Sequence, residues 1–135
     1  MYPPFEGDTA VARILVIDDE ELICDLLREV LEGWGYEVST ALNGESGLAL
    51  VDTESCDLVI TDIFMPEKDG LEVIRTIHRT HPHIPIVAIS GGGSKPFDFL
   101  PEARDLGAHA ALPKPIDRDS LLQTLQELLA DDPLA

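Results

Sequence analysis

Residues 13–31 read RILVIDDEELICDLLREVL, and this stretch decides the fold. It opens with a near-continuous apolar run, Arg13–Ile17, which is typical of a strand covered on both faces. Four acidic residues follow at 18–21, where they suit the positive end of a helix dipole. Apolar residues then fall at helical spacing: Leu22, Ile23, Leu26, Leu27, Val30 and Leu31. The stretch therefore predicts a strand that leads directly into a helix, which Gly33 and Gly35 end.

The same alternation of short apolar runs and helical patterns continues along the chain. Four further strands are predicted at Glu37–Ala41, Leu58–Thr61, Ile86–Ser90 and Ala110–Pro113. The remaining helices are predicted from a cap at Asn43 to about Thr53, after a cap at Asp69, between Asp98 and Leu106, and after a cap at Asp117. Alternating strands and helices imply a parallel sheet with helices on both faces and right-handed crossovers. The fold class is therefore α/β, a doubly wound five-stranded parallel sheet with strand order 2-1-3-4-5.

Composition limits the class of partner. The 135 residues fit one domain, and the formal net charge is −17. Such a charge argues against binding to nucleic acid or to an anionic membrane, since both need clustered Lys and Arg. Cys24 and Cys56 lie in apolar patterns without metal-ligand spacing, which predicts packed, reduced thiols in a cytoplasmic protein. We expect a disordered arm at 1–12, one domain at 13–131 and no output domain.

Polar side chains stand where the predicted strands end. Asp18 and Asp19 follow the first strand, Asp62 the third, Ser90 the fourth, and Lys114 the fifth. In an open parallel sheet, sites form at the carboxyl ends of the strands near the switch in strand order. Each residue alone has an ordinary interpretation as a helix cap or a turn, but their joint placement favours one shared pocket.

The chemistry of such a pocket is distinctive. Carboxylates about 4–5 Å apart repel each other by roughly 3–4 kcal/mol per pair at an effective dielectric constant of 20. Either a pKa rises or a cation neutralises the group, and oxygen-only ligands favour a hard cation such as Mg²⁺. A cation, an ammonium group, a hydroxyl and a backbone N–H beside the glycines at 91–93 are the parts that stabilise a transferring phosphoryl group.

At this point the sequence resembles the receiver domains of two-component response regulators. The resemblance rests on ILVIDDE at 14–20, DLVITDIFMPEKDGLEVI at 57–74, IVAIS at 86–90 and GAHAALPKP at 107–115. It covers about residues 13–130 and implies the flavodoxin-like (βα)5 receiver fold. It also implies that Asp62 is the phosphoacceptor, that Asp18 and Asp19 hold Mg²⁺ with Asp19 as a direct ligand, and that the backbone carbonyl of Phe64 completes the coordination.

The resemblance also assigns the residues that respond to the phosphoryl group. It implies that Ser90 is the switch hydroxyl and that Lys114 contacts the phosphoryl group, with a Lys114–Pro115 bond of the kind often cis in this family. Family members usually place Tyr or Phe three residues before this lysine, and here that position is Ala111. We therefore expect the aromatic readout to be absent or rerouted.

The implied function is a signalling switch rather than a turnover enzyme. It would take a phosphoryl group from a histidine kinase or a histidine phosphotransfer protein, which docks at the first helix and the pocket rim. It would signal as a monomer or weak homodimer to an unknown downstream protein or along a phosphorelay. Two alternatives are an aspartyl-nucleophile phosphatase of the haloacid dehalogenase type and an adaptor that works without phosphorylation. The first strand lacks the D-x-D pattern of the former, and an adaptor has no need of Mg²⁺.

Overall fold

A computed structural model describes residues 11–65, 70–90 and 100–129, and shows five strands and five helices there. The strands are β1 Arg13–Ile17, β2 Glu37–Ala41, β3 Leu58–Asp62, β4 Ile86–Ser90 and β5 Ala110–Pro113. The helices are α1 Glu21–Gly33, α2 Gly44–Thr53, α3 Gly70–Thr80, α4 Leu100–Leu106 and α5 Arg118–Leu129. The predicted glycine loop at 91–93, the cap at Asp69 and most of the N-terminal arm lie outside the described residues.

All five strands pair in parallel in the order β2-β1-β3-β4-β5, which confirms the predicted topology. Successive side chains of β1 serve opposite faces of the sheet: Ile14 and Val16 pack with α1 and α5, and Leu15 and Ile17 pack with α2 and α3. A central strand covered on both sides needs apolar residues at every position, which explains its unbroken run. The layers also bring the carboxyl ends of β1, β3 and β4 to one edge.

The boundaries of several helices follow from the caps expected of them. The Asn43 side chain accepts a hydrogen bond from the Ser46 N–H at 2.7 Å, and the Asp117 side chain accepts one from the Ser120 N–H at 2.9 Å. Gly35, just beyond α1, has φ +100°, a conformation that favours glycine. These local signals fix where α1, α2 and α5 start or stop, and so where the loops carrying the site begin.

The apolar stripe of α1 is wider than its buried face. Cys24, Leu27 and Leu31 are buried against the sheet, whereas Leu22 is 81% exposed and Leu26 is 52% exposed. A helix turns only about a third of its surface toward a flat sheet, so the outer members of a broad stripe face solvent. The exposed pair leaves apolar surface on the outer side of α1.

Close packing explains one glycine, and burial explains both cysteines. A Cβ on Gly47 would collide with the Ile17 side chain, so α2 approaches β1 more closely than any other residue would allow. Cys24 and Cys56 are buried free thiols, as predicted, and burial raises the pKa of each to about 11. Among the described residues no helix is long and apolar enough to cross a membrane.

Candidate functional site

The carboxyl edge of the sheet gathers three carboxylates. Asp18 and Asp19 follow β1, Asp62 ends β3, and one oxygen from each lies within 4.8 Å of the others. Asp18 and Asp62 are buried and Asp19 is exposed. The three residues that the sequence placed in one pocket therefore do lie together, with one carboxylate open to solvent and two at the pocket floor.

Two backbone features hold Asp62 in place. The Phe64 N–H donates to Asp62 Oδ1 at 3.3 Å, and the Gly70 N–H donates to the Ile63 carbonyl at 2.8 Å. A Cβ on Gly70 would overlap the Asp62 carbonyl and the Ile63 Cα, so α3 can begin here only with glycine. The start of α3 thus packs directly on the backbone that carries the Asp62 carboxylate.

Lys114 reaches the same pocket from the loop after β5. Its Nζ lies 3.0 Å from Asp18 Oδ2, 3.4 Å from Asp62 Oδ2 and 3.9 Å from Glu20 Oε1. Its backbone N–H donates to the Ser90 carbonyl at 2.7 Å, and the bond to Pro115 is cis, as the resemblance implied. One ammonium group therefore serves three carboxylates, and its backbone is tied to the end of β4.

Burial and mutual repulsion control the protonation of the pocket. Desolvation, followed by the charge on Asp18, raises the pKa of Asp62 from 3.8 to about 6, while Lys114 and the Phe64 N–H pull it down. Desolvation likewise raises the pKa of Asp18. The Lys114 ammonium loses hydration, but its carboxylate partners raise its pKa above the ordinary value. Among the described residues, the single positive charge of Lys114 is insufficient to balance this cluster, which favours a bound cation.

The hydrogen bonds of Asp18 indicate whether its carboxylate could also hold a cation. Its N–H donates to the Ala41 carbonyl at 3.0 Å, and its Oδ1 accepts from the Glu20 N–H at 2.9 Å. The buried Cys24 thiol donates to its carbonyl at 3.3 Å. Its buried Oδ2 lies at ion-pair distance from Lys114 but accepts no well-aligned hydrogen bond. A rigid carboxylate whose buried Oδ2 has Lys114 as its ion-pair partner, in an oxygen-only donor set, suits Mg²⁺.

Ser90 and Ala111 occupy the positions expected of them in the sheet. Ser90 is fully buried at the end of β4, next to the strand that carries Asp62. Ala111 pairs with Ala88 and lies partly buried against the core beneath α2, α3 and α4. Since the Ala111 side chain ends at its Cβ, this position has no aromatic ring that could change its rotamer when Ser90 changes its contacts.

Two features of the site were not predicted from the sequence. The first is the contact between Glu20 and Lys114. The second is an apolar groove of about 240 Å³ beside Lys114, between α1 and the loop that leads into α5. It is lined by Ile23, Leu26, Leu27, Val30, Lys114, Pro115, Ile116, Arg118 and Leu121. The excess width of the α1 stripe was the only sequence signal for the groove.

Fold and site together define a parallel α/β domain with an acidic, lysine-containing pocket at the carboxyl edge of its sheet. Residues 14–126 match the family described as the response regulator receiver domain, and the chain belongs to this family. It is 42% identical over 117 residues to the transcriptional regulatory protein ZraR of Klebsiella oxytoca, an alignment that covers 87% of this chain and 26% of ZraR. The chain thus spans about a quarter of the length of ZraR.

Solved structures agree with this assignment. A response regulator receiver domain protein from Clostridium thermocellum superposes with a TM-score of 0.83 at 33% identity, covering 92% of this chain and 98% of the other. The Vibrio cholerae chemotaxis protein CheY4 superposes with a TM-score of 0.79 at 31% identity, covering 89% of this chain and all of the other. Receiver domains thus match this chain both within longer regulators and as nearly whole structures, and the expectation of no output domain stays a prediction.

Proposed function

We propose that this receiver domain accepts a phosphoryl group on Asp62 from the phosphohistidine of a kinase or a phosphotransfer protein, with Mg²⁺ bound at the pocket. The observation that carries the proposal is the Asp62 carboxylate itself. It is buried, clustered with Asp18 and Asp19, and 3.4 Å from the Lys114 ammonium. A nucleophilic carboxylate, a cation site and a fixed ammonium are the elements that phosphoryl transfer requires.

In the proposed reaction an Asp62 oxygen attacks the phosphorus atom in line with the bond to the donor imidazole. The new O–P bond forms as the P–N bond breaks, and the imidazole, which carries a proton on its other ring nitrogen, leaves as the neutral ring. Asp18, Asp19, Asp62 and the backbone carbonyl of Phe64 would hold Mg²⁺. The ion would neutralise charge on the phosphoryl oxygens.

Lys114 and Ser90 have separate tasks in this proposal. The Lys114 ammonium pairs with a phosphoryl oxygen, since it already lies beside the attacking carboxylate. The Ser90 hydroxyl, buried at the end of β4, hydrogen-bonds the phosphoryl group once it is formed. Both residues would shift their contacts on phosphorylation, which makes the domain a switch rather than a turnover enzyme.

The apolar groove supports a protein as the phosphodonor. Leu22 and Leu26 expose apolar surface on α1, and Leu26 lines the groove together with Lys114. A donor domain seated on this surface would bring its histidine to the open side of the pocket. The net charge of −17 supports a protein rather than a nucleic acid as partner of these residues, and the buried free thiols support a cytoplasmic location.

Intact-mass measurement after incubation with acetyl phosphate, with and without Mg²⁺, tests the proposal. We expect one added phosphoryl group that depends on Mg²⁺ and is lost in Asp62→Ala. Asp52→Ala serves as the matched control, since it alters an exposed aspartate of α2 that pairs with His81 and lies outside the cluster of Asp18, Asp19 and Asp62. Failure with acetyl phosphate and with phosphohistidine donors alike would overturn the proposal in favour of an adaptor that works without phosphorylation.

A further inference from the structure

Glu20 precedes α1, and its carboxylate lies near the start of that helix without a hydrogen bond to it. It is the N-cap residue of α1, and its carbonyl accepts hydrogen bonds from Ile23 at 3.0 Å and Cys24 at 3.2 Å. Its carboxylate makes no capping hydrogen bond, because the shorter side chains of Ser, Thr, Asp and Asn are the ones that cap helices well. Instead it extends toward the loop after β5, where Oε1 lies 3.9 Å from Lys114 Nζ.

The Glu20 carboxylate is the outermost of the three that share Lys114. Asp18 is fully buried and the Asp62 side chain is 6% exposed, whereas the Glu20 side chain is 63% exposed. The Lys114 side chain is 13% exposed, and Glu20 is the most exposed of its three carboxylate partners. A phosphoryl donor must reach Asp62 from solvent. It would therefore meet the Glu20 charge beside Lys114, the one lysine in the described part of the chain.

We propose that Glu20 is a specificity-determining residue, whose carboxylate competes with the incoming phosphoryl group for Lys114 and repels small anionic phosphodonors. This inference rests on the proposed phosphorylation of Asp62. It predicts that the pocket discriminates between donors by charge. A free dianion feels the full repulsion, whereas a phosphohistidine presented by a docked protein is held in place by contacts elsewhere.

The size of the effect follows from Coulomb's law. Glu20 Oε1 and Asp62 Oδ2 lie 3.9 Å and 3.4 Å from the same Lys114 Nζ, so they are at most about 7 Å apart. At roughly that distance, in water at moderate salt, a unit charge changes the local concentration of a dianion roughly two- to fivefold. Glu20→Gln keeps the size and polarity of the side chain and removes its charge. We therefore expect this variant to be phosphorylated by acetyl phosphate two- to fivefold faster, as the O–P bond to Asp62 forms and acetate leaves.

The experiment compares rates of Mg²⁺-dependent phosphorylation at saturating Mg²⁺, followed by intact mass. Glu21→Gln is the matched control, since it removes the same charge from the neighbouring exposed position, which makes no ion pair with Lys114. Glu20→Asp, which retains the charge, should behave like the unmodified protein. Raising the salt from about 0.05 M to about 1 M shortens the screening length from roughly 14 Å to about 3 Å. This change should erase the difference between Glu20→Gln and the unmodified protein. Phosphoramidate, whose protonated nitrogen lowers its net charge, should show a smaller difference than acetyl phosphate.

The outcomes separate this inference from the proposed function. If the unmodified protein gains no phosphoryl group from any donor, the proposed function fails and the inference fails with it. If it is phosphorylated but Glu20→Gln and Glu21→Gln react at equal rates, only the role of Glu20 is overturned. A faster Glu20→Gln whose advantage persists at high salt would indicate altered packing, which would also overturn the electrostatic role.

Discussion

Replacing Asp62 with asparagine should stabilise the protein when no divalent cation is present. The rise in the pKa of Asp62 from 3.8 to about 6 means that the fold disfavours the ionised carboxylate by about 3 kcal/mol. A carboxyl group whose pKa is raised in the folded state stabilises the fold below its unfolded pKa, and this stabilisation is lost as the pH rises through about 6. Asparagine mimics the neutral acid, so Asp62→Asn should gain up to about 3 kcal/mol at pH 7.5.

Urea denaturation in the presence of a chelator measures this gain, with Trp34 fluorescence and circular dichroism as signals. At pH 5 the unmodified carboxyl group is already mostly protonated, and the gain should fall to about half its value at pH 7.5. Asp25→Asn, on the exposed side of α1, is the matched control and should change little at either pH. A gain that is absent at pH 7.5, or equal at both pH values, would refute the account of the pocket as an uncompensated acidic cluster.

Three further predictions test the surroundings of the pocket. Gly70→Ala should lower the free energy of unfolding by about 1–3 kcal/mol, because its Cβ would overlap the backbone at the end of β3. It should also weaken Mg²⁺ binding measured by calorimetry. Gly33→Ala is the control and should change neither quantity, because a Cβ at Gly33 meets open space. His109 Nδ1 accepts the Ile86 N–H at 3.1 Å, and desolvation, followed by the charge on His78, lowers its pKa. His109→Ala should therefore lower the free energy of unfolding by about 1 kcal/mol in urea at pH 7.5. This destabilisation should become smaller as the pH falls through the His109 pKa, and a destabilisation that stays constant would contradict this role. Phe64 is 40% exposed beside the pocket. If its ring shields the phosphoryl group from water, Phe64→Ala should shorten the lifetime of the phosphorylated protein. An unchanged lifetime would exclude shielding.

The sequence predicted the parts of the fold that depend on periodicity and burial. The unbroken run Ile14–Ile17 reported a central strand, and the placement of Asp18 and Asp62 after strands 1 and 3 predicted their meeting, since neighbouring parallel strands end at one edge. Asn43 and Asp117 were recognisable as caps because capping is local. These predictions needed no knowledge of the tertiary path beyond strand order.

Features that depend on the path of individual side chains escaped sequence reasoning. The pattern of α1 did not distinguish Leu27, which is buried, from Leu26, which is 52% exposed, because that depends on how the helix lies on the sheet. The contact of Glu20 with Lys114 joins residues far apart in the chain. Glu20 resembled an ordinary acidic helix start, and only the loop after β5 gives its charge a partner.

The absence of an aromatic residue at position 111 redirects the question of how phosphorylation is transmitted. Alanine has no side-chain rotamers, so Ala111 cannot move in response to Ser90. The Ser90 carbonyl, however, holds the Lys114 N–H at 2.7 Å, which joins the end of β4 to the loop that leads into α5. Lys114 in turn borders the groove against α1. In the described part of the chain, Lys114 therefore joins the Asp62 carboxylate, the end of β4 and the groove through direct contacts that do not involve Ala111.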